Sequence, residues 1–423
     1  MRAGRRPPRC DRRFFLTPRA SLRSLVVVLV VSSVAHAQNR PRARDLGVPF
    51  DGTPGPLNAI TDVAGVTVGH ATIIRGQGKL VVGQGPVRTG VTAIFPRGAS
   101  NGDPVFGGWF TLNGNGEMTG TTWLEESGFL AGPVMITNTH SVGVVRDAVI
   151  EWLVHKGFEF DWSLPIVAET WDGALNDING FHVTKGDVFA ALDSARAGPV
   201  AEGNVGGGTG MICNQFKGGI GTASRRLPPE RGGYTVGVLV QCNYGSRARL
   251  SIAGVPVGQE IPDLLPCFDS LPGAAGPSRG SRRCGSDIDR GSIIIVIATD
   301  APLLPHQMKR IAKRAALGVG RLGGTGGNPS GDIFVAFSTA NPGAAKPDAT
   351  VTVTMLPNER ISPLFEATIQ ATEEAIVNAM VAAQTMTGVN GFRVSALPHD
   401  RLRAVLRKYN RLVESPASSV PRR

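Results

Sequence analysis

The sequence feature that most constrains the fold is an uninterrupted run of Ile, Val and Ala at residues 293–298, directly preceded by Gly291 and Ser292. A short apolar run bounded by turn-forming residues predicts a buried strand. The Gly-Ser pair at the mouth of this strand has two interpretations. It is a common tight turn between a loop and a core strand, or it is a bond that cleaves itself and leaves Ser292 as a new N-terminus.

Self-cleavage would give Ser292 two catalytic groups. The side-chain hydroxyl is a nucleophile, and the freed α-amine, whose ordinary pKa is about 7.7 to 8.0, can act as its base. Gly291 suits the preceding position because the absence of a Cβ lets the serine oxygen approach the glycine carbonyl in an N-to-O acyl shift. The local sequence leaves the turn and the cleavage site open as alternatives.

The composition describes a large globular protein and argues against nucleic-acid binding. With 423 residues, 42% of them hydrophobic, the chain can form one large or two ordinary domains. Its 55 glycines exceed the average usage of about 7% and cluster at residues 206–208 and 323–327, which indicates tight turns and close backbone approaches. The net charge is +11, but residues 1–37 hold eight arginines and one aspartate, which leaves only +4 for the remainder. Those remaining basic residues are dispersed rather than interleaved with aromatic ones.

Residues 1–37 are predicted to be a signal peptide. An arginine-rich head is followed by an apolar stretch at residues 25–34 and by the small-x-small sequence AHA at residues 35–37. We therefore expect an exported protein, periplasmic or secreted, whose mature chain starts near Gln38. Residues 11–16, DRRFFL, approximate a twin-arginine signal, and an ordinary secretory head is the alternative. Because no later apolar stretch reaches about eighteen residues, we expect no membrane contact after the signal is removed.

Four cysteines remain after Cys10 leaves with the signal, and none of their spacings resembles a metal site. Cys267 and Cys284 bracket a segment rich in Pro, Gly, Ser and Arg, and we expect residues 263–290 to form an exposed loop. Our hypothesis is that a disulfide between these two cysteines closes the loop, because disulfides persist in exported proteins. The loop would make the bond before Ser292 a boundary between two portions of the chain.

Strands and helices alternate along the chain, which predicts a layered α/β architecture with helices covering sheets. Apolar runs bounded by turn formers predict strands at residues 65–70, 90–95, 134–138, 234–243, 292–298, 333–338 and 350–355. Apolar residues at helical spacing predict helices at residues 141–157, 305–318 and 363–387.

Several blocks of sequence carry a family resemblance. Quoted with their first residues, they are ITNTHSVGVVRDA from Ile136, VAETWDGALNDING from Val167, EGNVGGGTGM from Glu202, FKGGIGTASR from Phe216, YTVGVLVQCNYG from Tyr234, GSIIIVIATDAPLLPHQMKRIAKRA from Gly291 and GGTGGNPSGDIFVAFSTAN from Gly323. Together they resemble the L-aminopeptidase/D-amidase/D-esterases and the β-peptidyl aminopeptidases, enzymes made active by self-cleavage before a serine. The resemblance covers almost all of the mature chain, and it favours cleavage over a simple turn before Ser292.

The resemblance implies an N-terminal-nucleophile-like hydrolase with a four-layer αββα sandwich. It implies an α chain of residues 38–291 and a β chain of residues 292–423, which together form one structural domain. No metal or organic cofactor is implied, and an assembly of several αβ units, a homo-oligomer, is expected.

The family nucleophile maps onto Ser292, and its supporting pair maps onto Ser330 and Asp332. We expect this pair on a loop just before the strand that starts at Ile333. A hydroxyl between the amine of Ser292 and a carboxylate can relay a proton and hold the amine in place. Some relatives carry glutamate where Asp332 stands. Without the resemblance, the sequence Ser-Gly-Asp would be interpreted as a turn.

Three further residues take roles from the resemblance. Asn243, at the end of a predicted strand, maps onto the asparagine that stabilises the oxyanion. Glu169 is implied to hold the ammonium group of the substrate by charge pairing. Trp171 is implied to line the substrate pocket, at a place where some relatives carry tyrosine.

Two other motifs are given structural roles. His140 precedes Ser141, but no acid is tied to it by spacing, so we interpret it as structural or pocket-lining rather than as a triad member. The glycine cluster at residues 206–210 lacks the lysine-serine pair of a phosphate-binding loop, and we expect it to approach the active site closely through its backbone.

The function predicted from the sequence is an exported serine aminopeptidase that removes a residue from the free N-terminus of small peptides, amides or esters through an acyl-Ser292 intermediate. One alternative is an acyltransferase of related fold, which would be expected to place threonine at the new N-terminus. Another is a non-catalytic secreted binding protein, whose chain would stay intact. The sequence leaves open the choice among L-α-peptides, D-amino acid esters or amides, and β-peptides.

Overall fold

Two β-sheets packed face to face form the centre of the fold. The structure is a computed structural model that describes residues 40–268, 283–284 and 291–414. The predicted signal peptide and residues 269–282 and 285–290 of the predicted loop lie outside the described residues. The described residues belong to one compact unit that begins at Arg40.

The strands and helices alternate as the sequence predicts. The strands are β1 Thr67–Arg75, β2 Val87–Phe95, β3 Val105–Gly114, β4 Phe129–Leu130, β5 Val134–Asn138, β6 Ile166–Thr170, β7 Ile212–Cys213, β8 Phe216–Lys217, β9 Gly219–Arg226, β10 Thr235–Asn243, β11 Cys267–Phe268, β12 Arg283–Cys284, β13 Gly291–Thr299, β14 Ser330–Ser338, β15 Met386–Thr387 and β16 Arg393–Val394. The helices are α1 Thr121–Ser127, α2 Val142–His155, α3 Lys185–Asp193, α4 Val257–Glu260, α5 Pro305–Arg321, α6 Ser362–Val381 and α7 His399–Lys408. None of these helices, in the described part of the chain, is long and apolar enough to cross a membrane.

The larger sheet places the strand with the uninterrupted apolar run near its centre. Its order is β4-β3-β14-β13-β10-β9, with β13 parallel to β14 and antiparallel to β10. The smaller sheet has the order β1-β2-β5-β6, and its strands β5 and β6 are parallel. Parallel neighbours end at the same edge of a sheet, so residues that follow β5 and β6 lie side by side.

Both faces of β13 are buried, which explains its continuous apolar sequence. Ile294, Val296 and Ala298 pack against the smaller sheet. The residues between them, such as Ile293 and Ile295, pack on the opposite face against α5 and α6. The outer face of the smaller sheet is covered by α2 and α3. The four layers are therefore helices, sheet, sheet and helices, and the predicted αββα sandwich is confirmed.

Several predicted elements differ from those observed, and three of the differences bear on the fold or the site. Residues 350–355 form no strand because this segment is exposed, and the backbone of Thr354 bonds to the side chain of Asn341 at 2.8 and 3.0 Å instead of to a neighbouring strand. The helix predicted to end at residue 387 ends at Val381, and its last predicted turn is strand β15. The strand predicted from Ile333 already begins at Ser330.

The cysteines form two cross-strand pairs. Cys213 and Cys242 are joined by a disulfide with a Cα–Cα distance of 5.5 Å, a bond that the sequence did not indicate. Cys267 lies opposite Cys284 in the pairing of β11 with β12. Cys267 is disulfide-bonded, and its predicted partner is Cys284, whose side chain lies outside the described residues.

Candidate active site

The sheet brings Ser292 between two other strands that contribute to the site. Ser292 is the second residue of β13, opposite Asn243 in β10 and Gly331 in β14. Its hydroxyl oxygen accepts a hydrogen bond from the backbone N–H of Gly331 at 3.1 Å. The side chain is 6% exposed, so the nucleophile predicted from the sequence lies in a nearly closed site.

Gly291 occupies a backbone conformation that suits glycine alone. Its φ is +104°, in the region that side chains rarely adopt. A Cβ at this position would collide with the backbone carbonyl oxygen of Asn243. The residue before the nucleophile is therefore held in an unusual conformation against the strand that carries the predicted oxyanion donor.

Ser330 and Asp332 form the pair that the resemblance implies. The hydroxyl of Ser330 donates to Asp332 Oδ1 at 2.6 Å, and both side chains are about 1% exposed. The expected loop position is wrong, because both residues lie inside β14, where alternation directs their side chains to one face. Gly331, between them, is the residue that faces Ser292. Ser330 pairs with Gly291 in β13, and Asp332 pairs with Ile293 in β13 and with Asn113 in β3.

Asn243 is oriented by two hydrogen bonds to the backbone. Its Oδ1 accepts from the N–H of Ile212 at 2.8 Å, and its Nδ2 donates to the carbonyl oxygen of Trp171 at 3.0 Å. A primary amide carries two N–H donors, so a second hydrogen remains on Nδ2. Because Asn243 lies opposite Ser292 in the sheet, this amide can donate to an oxyanion that forms on a carbon attacked by the serine.

Glu169 presents a buried carboxylate near the nucleophile. It is 3% exposed, and its oxygens accept from the N–H of Glu117 at 2.9 Å and from the hydroxyl of Thr139. Burial raises its pKa above the usual range, and the two hydrogen bonds partly oppose that shift. A Cβ at Gly116 would lie 3.2 Å from both Glu169 Oε1 and the Cα of Gly331. Gly116 therefore lies between the carboxylate of Glu169 and Gly331, the residue opposite Ser292 in the sheet.

Exposed aromatic rings lie on the segments that follow β5 and β6. Trp171 is 40% exposed and its indole covers Gly173. His140 is exposed and stacks on Phe181 with ring centroids 6.1 Å apart. His140 is close enough to Glu169 for its charge to act on that carboxylate. The pocket-lining or structural role of His140 stays a prediction, and Phe181 is a neighbour that sequence reasoning missed.

The glycine cluster Gly206–Gly210 packs closely against neighbouring strands. A Cβ on Gly207 would collide with the side chain of Gln241, and one on Gly208 would collide with the backbone N–H of Ile220. The cluster leads directly into Met211 and Ile212, whose N–H orients Asn243. The cluster thus contributes to the site by positioning Met211 and Ile212, the segment that holds the side chain of Asn243.

Lys217 is a buried cation that sequence reasoning missed. Its side chain is fully buried, and Nζ donates at 2.8 Å to the carbonyl oxygens of both Met211 and Gly218. Burial lowers its pKa to about 7. The only local sign of this burial is that the lysine stands between Phe216 and two glycines, with no polar side chain next to it.

A comparison with known proteins assigns the family. The model of peptidase family S58 matches residues 58–394. The chain belongs to this family. An S58 relative, the beta-peptidyl aminopeptidase BapA of Sphingosinicella microcystinivorans, is 56% identical over 92% of this chain and 97% of its own.

Two solved structures have the same architecture. The L-aminopeptidase D-Ala-esterase/amidase of Ochrobactrum anthropi is 49% identical with a TM-score of 0.78, over 88% of this chain and 100% of that chain, and it is described as a prototype of the serine aminopeptidases and a variant of the Ntn hydrolase fold. A Burkholderia sp. beta-aminopeptidase is 47% identical with a TM-score of 0.76, over 89% of this chain and 100% of that chain. The predicted family and fold are confirmed, and the S58 chain is an aminopeptidase, a hydrolase as the sequence predicts.

Proposed function

We propose that this S58 protein is an exported, self-cleaving β-peptidyl aminopeptidase that acts through an acyl-Ser292 intermediate on small substrates with a free amine. The observation that carries the proposal is the position of Ser292, opposite Asn243 and Gly331 and close to the buried carboxylate of Glu169. The BapA relative supports the choice of β-peptides among the substrate classes.

Activation begins at the bond between Gly291 and Ser292. The serine oxygen attacks the glycine carbonyl carbon, the C–N bond breaks, and the amide becomes an ester with a free amine on Ser292. Water then hydrolyses the ester, which leaves a carboxylate on Gly291 and restores the hydroxyl. The unusual backbone conformation of Gly291 favours the approach of the two reacting atoms.

Hydrolysis of a substrate uses the groups that cleavage releases. The α-amine of Ser292 takes the hydroxyl proton as the oxygen attacks the acyl carbon, and it then protonates the departing amine. The second N–H of Asn243 stabilises the oxyanion. The amine next activates water, which hydrolyses the acyl-Ser292 ester. Ser330, bonded to Asp332, holds the amine in position and completes the proton path.

The substrate amine pairs with Glu169. A β-amino acid has one more carbon between its amine and its carbonyl than an α-amino acid, so the fixed separation of Glu169 from Ser292 selects between them. The N-terminal residue of the substrate would also contact Trp171, which is exposed at the opening. Loss of the amine's charge, as in an N-acetylated substrate, removes this attraction.

The test is a panel of p-nitroanilides of β-alanine, L-alanine, D-alanine and N-acetyl-β-alanine. We expect kcat/KM to be highest for β-alanine and hydrolysis of the acetylated compound to be undetectable. A preference for either α-amino acid would contradict the β-peptide assignment alone. Equal hydrolysis of the acetylated and free β-alanine compounds would contradict recognition of the amine.

A first variant tests the supporting pair. Ser330→Ala is expected to lower kcat about tenfold, because Asp332 loses its hydrogen-bond partner and, in the proposed mechanism, the amine of Ser292 loses the hydroxyl that holds it. Ser338→Ala is the matched control, since Ser338 is a buried serine in the same strand whose hydroxyl donates to the carbonyl of Ala301 at 2.6 Å. Steady-state kinetics on the mature protein measures both. Similar losses in the two variants would assign the effect to packing of the strand.

A further inference from the structure

We propose that Lys217 is a positioning residue for Asn243 and acts through the single peptide group that joins Met211 to Ile212. The proposal rests on the proposed function, in which Asn243 donates to the oxyanion. Lys217 Nζ donates to the carbonyl oxygen of Met211 at 2.8 Å. The N–H of the same peptide group, that of Ile212, donates to Asn243 Oδ1, also at 2.8 Å.

The hydrogen bonds that lead from Lys217 to Asn243 polarise one another in the same sense. Resonance couples the oxygen and nitrogen of a peptide group, so a cation at the carbonyl of Met211 makes the N–H of Ile212 a stronger donor. The side-chain amide of Asn243 responds in the same way, because a stronger donor at Oδ1 increases the positive charge on the hydrogens of Nδ2. One of these hydrogens is used by the carbonyl of Trp171, and the other is the proposed donor to the oxyanion.

The charge of Lys217 is the part of this arrangement that packing alone does not explain. All three acceptors of Nζ are neutral carbonyls, those of Met211 and Gly218 at 2.8 Å and that of Gly208 at 3.4 Å. A fully buried ammonium without a carboxylate partner destabilises the fold, and the lowering of its pKa to about 7 reflects that cost. At a pH below that pKa the side chain is an ammonium, and it then adds positive charge at the start of the chain that ends at Asn243.

The two ends of this chain are held at a fixed distance. Cys213, next to Ile212, is joined by a disulfide to Cys242, next to Asn243. The segment that carries the Ile212 N–H is thereby attached to the strand that carries Asn243, independently of Lys217. Replacement of Lys217 should therefore weaken the donor without separating the two segments.

The experiment is a double-mutant cycle with the p-nitroanilide of β-alanine. Lys217→Met is expected to lower kcat about tenfold and to change KM less than about twofold, since the oxyanion exists only in the transition state. Asn243→Ala is expected to lower kcat by about 10²-fold. In the double variant, kcat should equal that of Asn243→Ala within about twofold. Rates are expressed per mole of the mature, two-fragment protein.

Two further variants separate the loss of the charge from a loss of folding stability. Lys217→Gln keeps two N–H donors for the carbonyls without the charge, and it is expected to show the same loss of kcat if Lys217→Met does not fold. Arg247→Met is the matched control, because Arg247 is a buried cation that donates to the carbonyls of Asn214 at 3.1 Å and Gln215 at 2.7 Å, in the turn between β7 and β8. It should lower the melting temperature and leave kcat unchanged.

The outcomes separate the two proposals. A tenfold loss for Lys217→Met that persists in the Asn243→Ala background would overturn the positioning role and leave the proposed function intact. An unchanged kcat in Lys217→Gln, or a loss in Arg247→Met as large as that in Lys217→Met, would also overturn it. An Asn243→Ala variant with the wild-type kcat would contradict the oxyanion assignment, and the role of Lys217 would be wrong with it.

Discussion

Replacement of Ser292 by Ala should leave the chain uncut and without aminopeptidase activity. The variant lacks the oxygen that attacks the carbonyl of Gly291, so neither the ester nor the free amine can form. The uncut variant lacks the base as well as the nucleophile, and we expect the loss in kcat to be on the order of 10⁶-fold, as for removal of a serine nucleophile elsewhere. Intact-mass spectrometry of the wild type should show two fragments, one beginning near Gln38 and one beginning at Ser292.

The comparison of wild type and variant has a clear control. Ser338→Ala removes a hydroxyl from a buried serine in the neighbouring strand β14 and should be cleaved like the wild type. An intact wild-type chain after prolonged incubation would contradict self-cleavage and revive the interpretation as a non-catalytic protein. Cleavage of the Ser292→Ala variant at the same bond would show that another protease makes the cut.

The central strands of the fold were predictable because each contains a continuous run of mostly apolar residues. Strand β13 is buried on both faces and reads as a continuous run of Ile, Val and Ala. Strand β9, Gly219–Arg226, is equally buried but contains Thr, Ser and Arg, and periodicity did not reveal it. Arg225 is buried there because Glu374 of α6 lies 2.8 Å from it. Because Arg225 and Glu374 are about 150 residues apart in the chain, the pattern of residues around Arg225 does not indicate that it is buried.

The site shows the same division between local and tertiary signals. Gly291 and Ser292 were recognisable from local chemistry, and the resemblance supplied Asn243, Glu169 and the pair in β14. The pair was predicted to lie on a loop because the apolar run that indicates the strand starts only at Ile333. Strand β14 in fact begins three residues earlier, at Ser330. Ser330 and Asp332 enter the sheet as polar residues because they satisfy each other by a hydrogen bond inside it.

Lys217 illustrates why the remaining part of the site was not predictable. Its three acceptors come from residues 208, 211 and 218, and they converge only when the turn after the glycine cluster has folded. A lysine in a sequence is ordinarily expected on the surface. The burial of a polar side chain depends on partners that the pattern of neighbouring residues does not contain.

Glu169→Gln should reduce kcat/KM for the p-nitroanilide of β-alanine by about 10²- to 10³-fold, mostly through KM. The substitution keeps the size of the side chain and removes the negative charge that would pair with the substrate ammonium in a site from which water is largely excluded. Loss of one partner of a buried charge pair costs about 2 to 5 kcal/mol, or about 30- to 5,000-fold, and the expected effect lies within that range. Glu117→Gln is the matched control, since Glu117 is exposed and bonds Glu169 only through its backbone N–H.

The pH dependence of the same reaction distinguishes loss of charge from loss of shape. Burial raises the pKa of Glu169, so its carboxylate takes up a proton at a higher pH than an exposed glutamate does. As the pH falls through that pKa, the wild type loses its attraction for the ammonium, and kcat/KM should decline on the acid side. The base amine of Ser292 also takes up a proton on the acid side, so log kcat/KM of the wild type should fall with a limiting slope of two. The Glu169→Gln variant keeps only the amine and should fall with a slope of one, whereas Glu117→Gln should keep the slope of two, with the Glu169 step at a lower pH because the charge of Glu117 also raises the pKa of Glu169. A slope of two in Glu169→Gln would assign the second titration to another group and contradict the role of Glu169 in holding the amine.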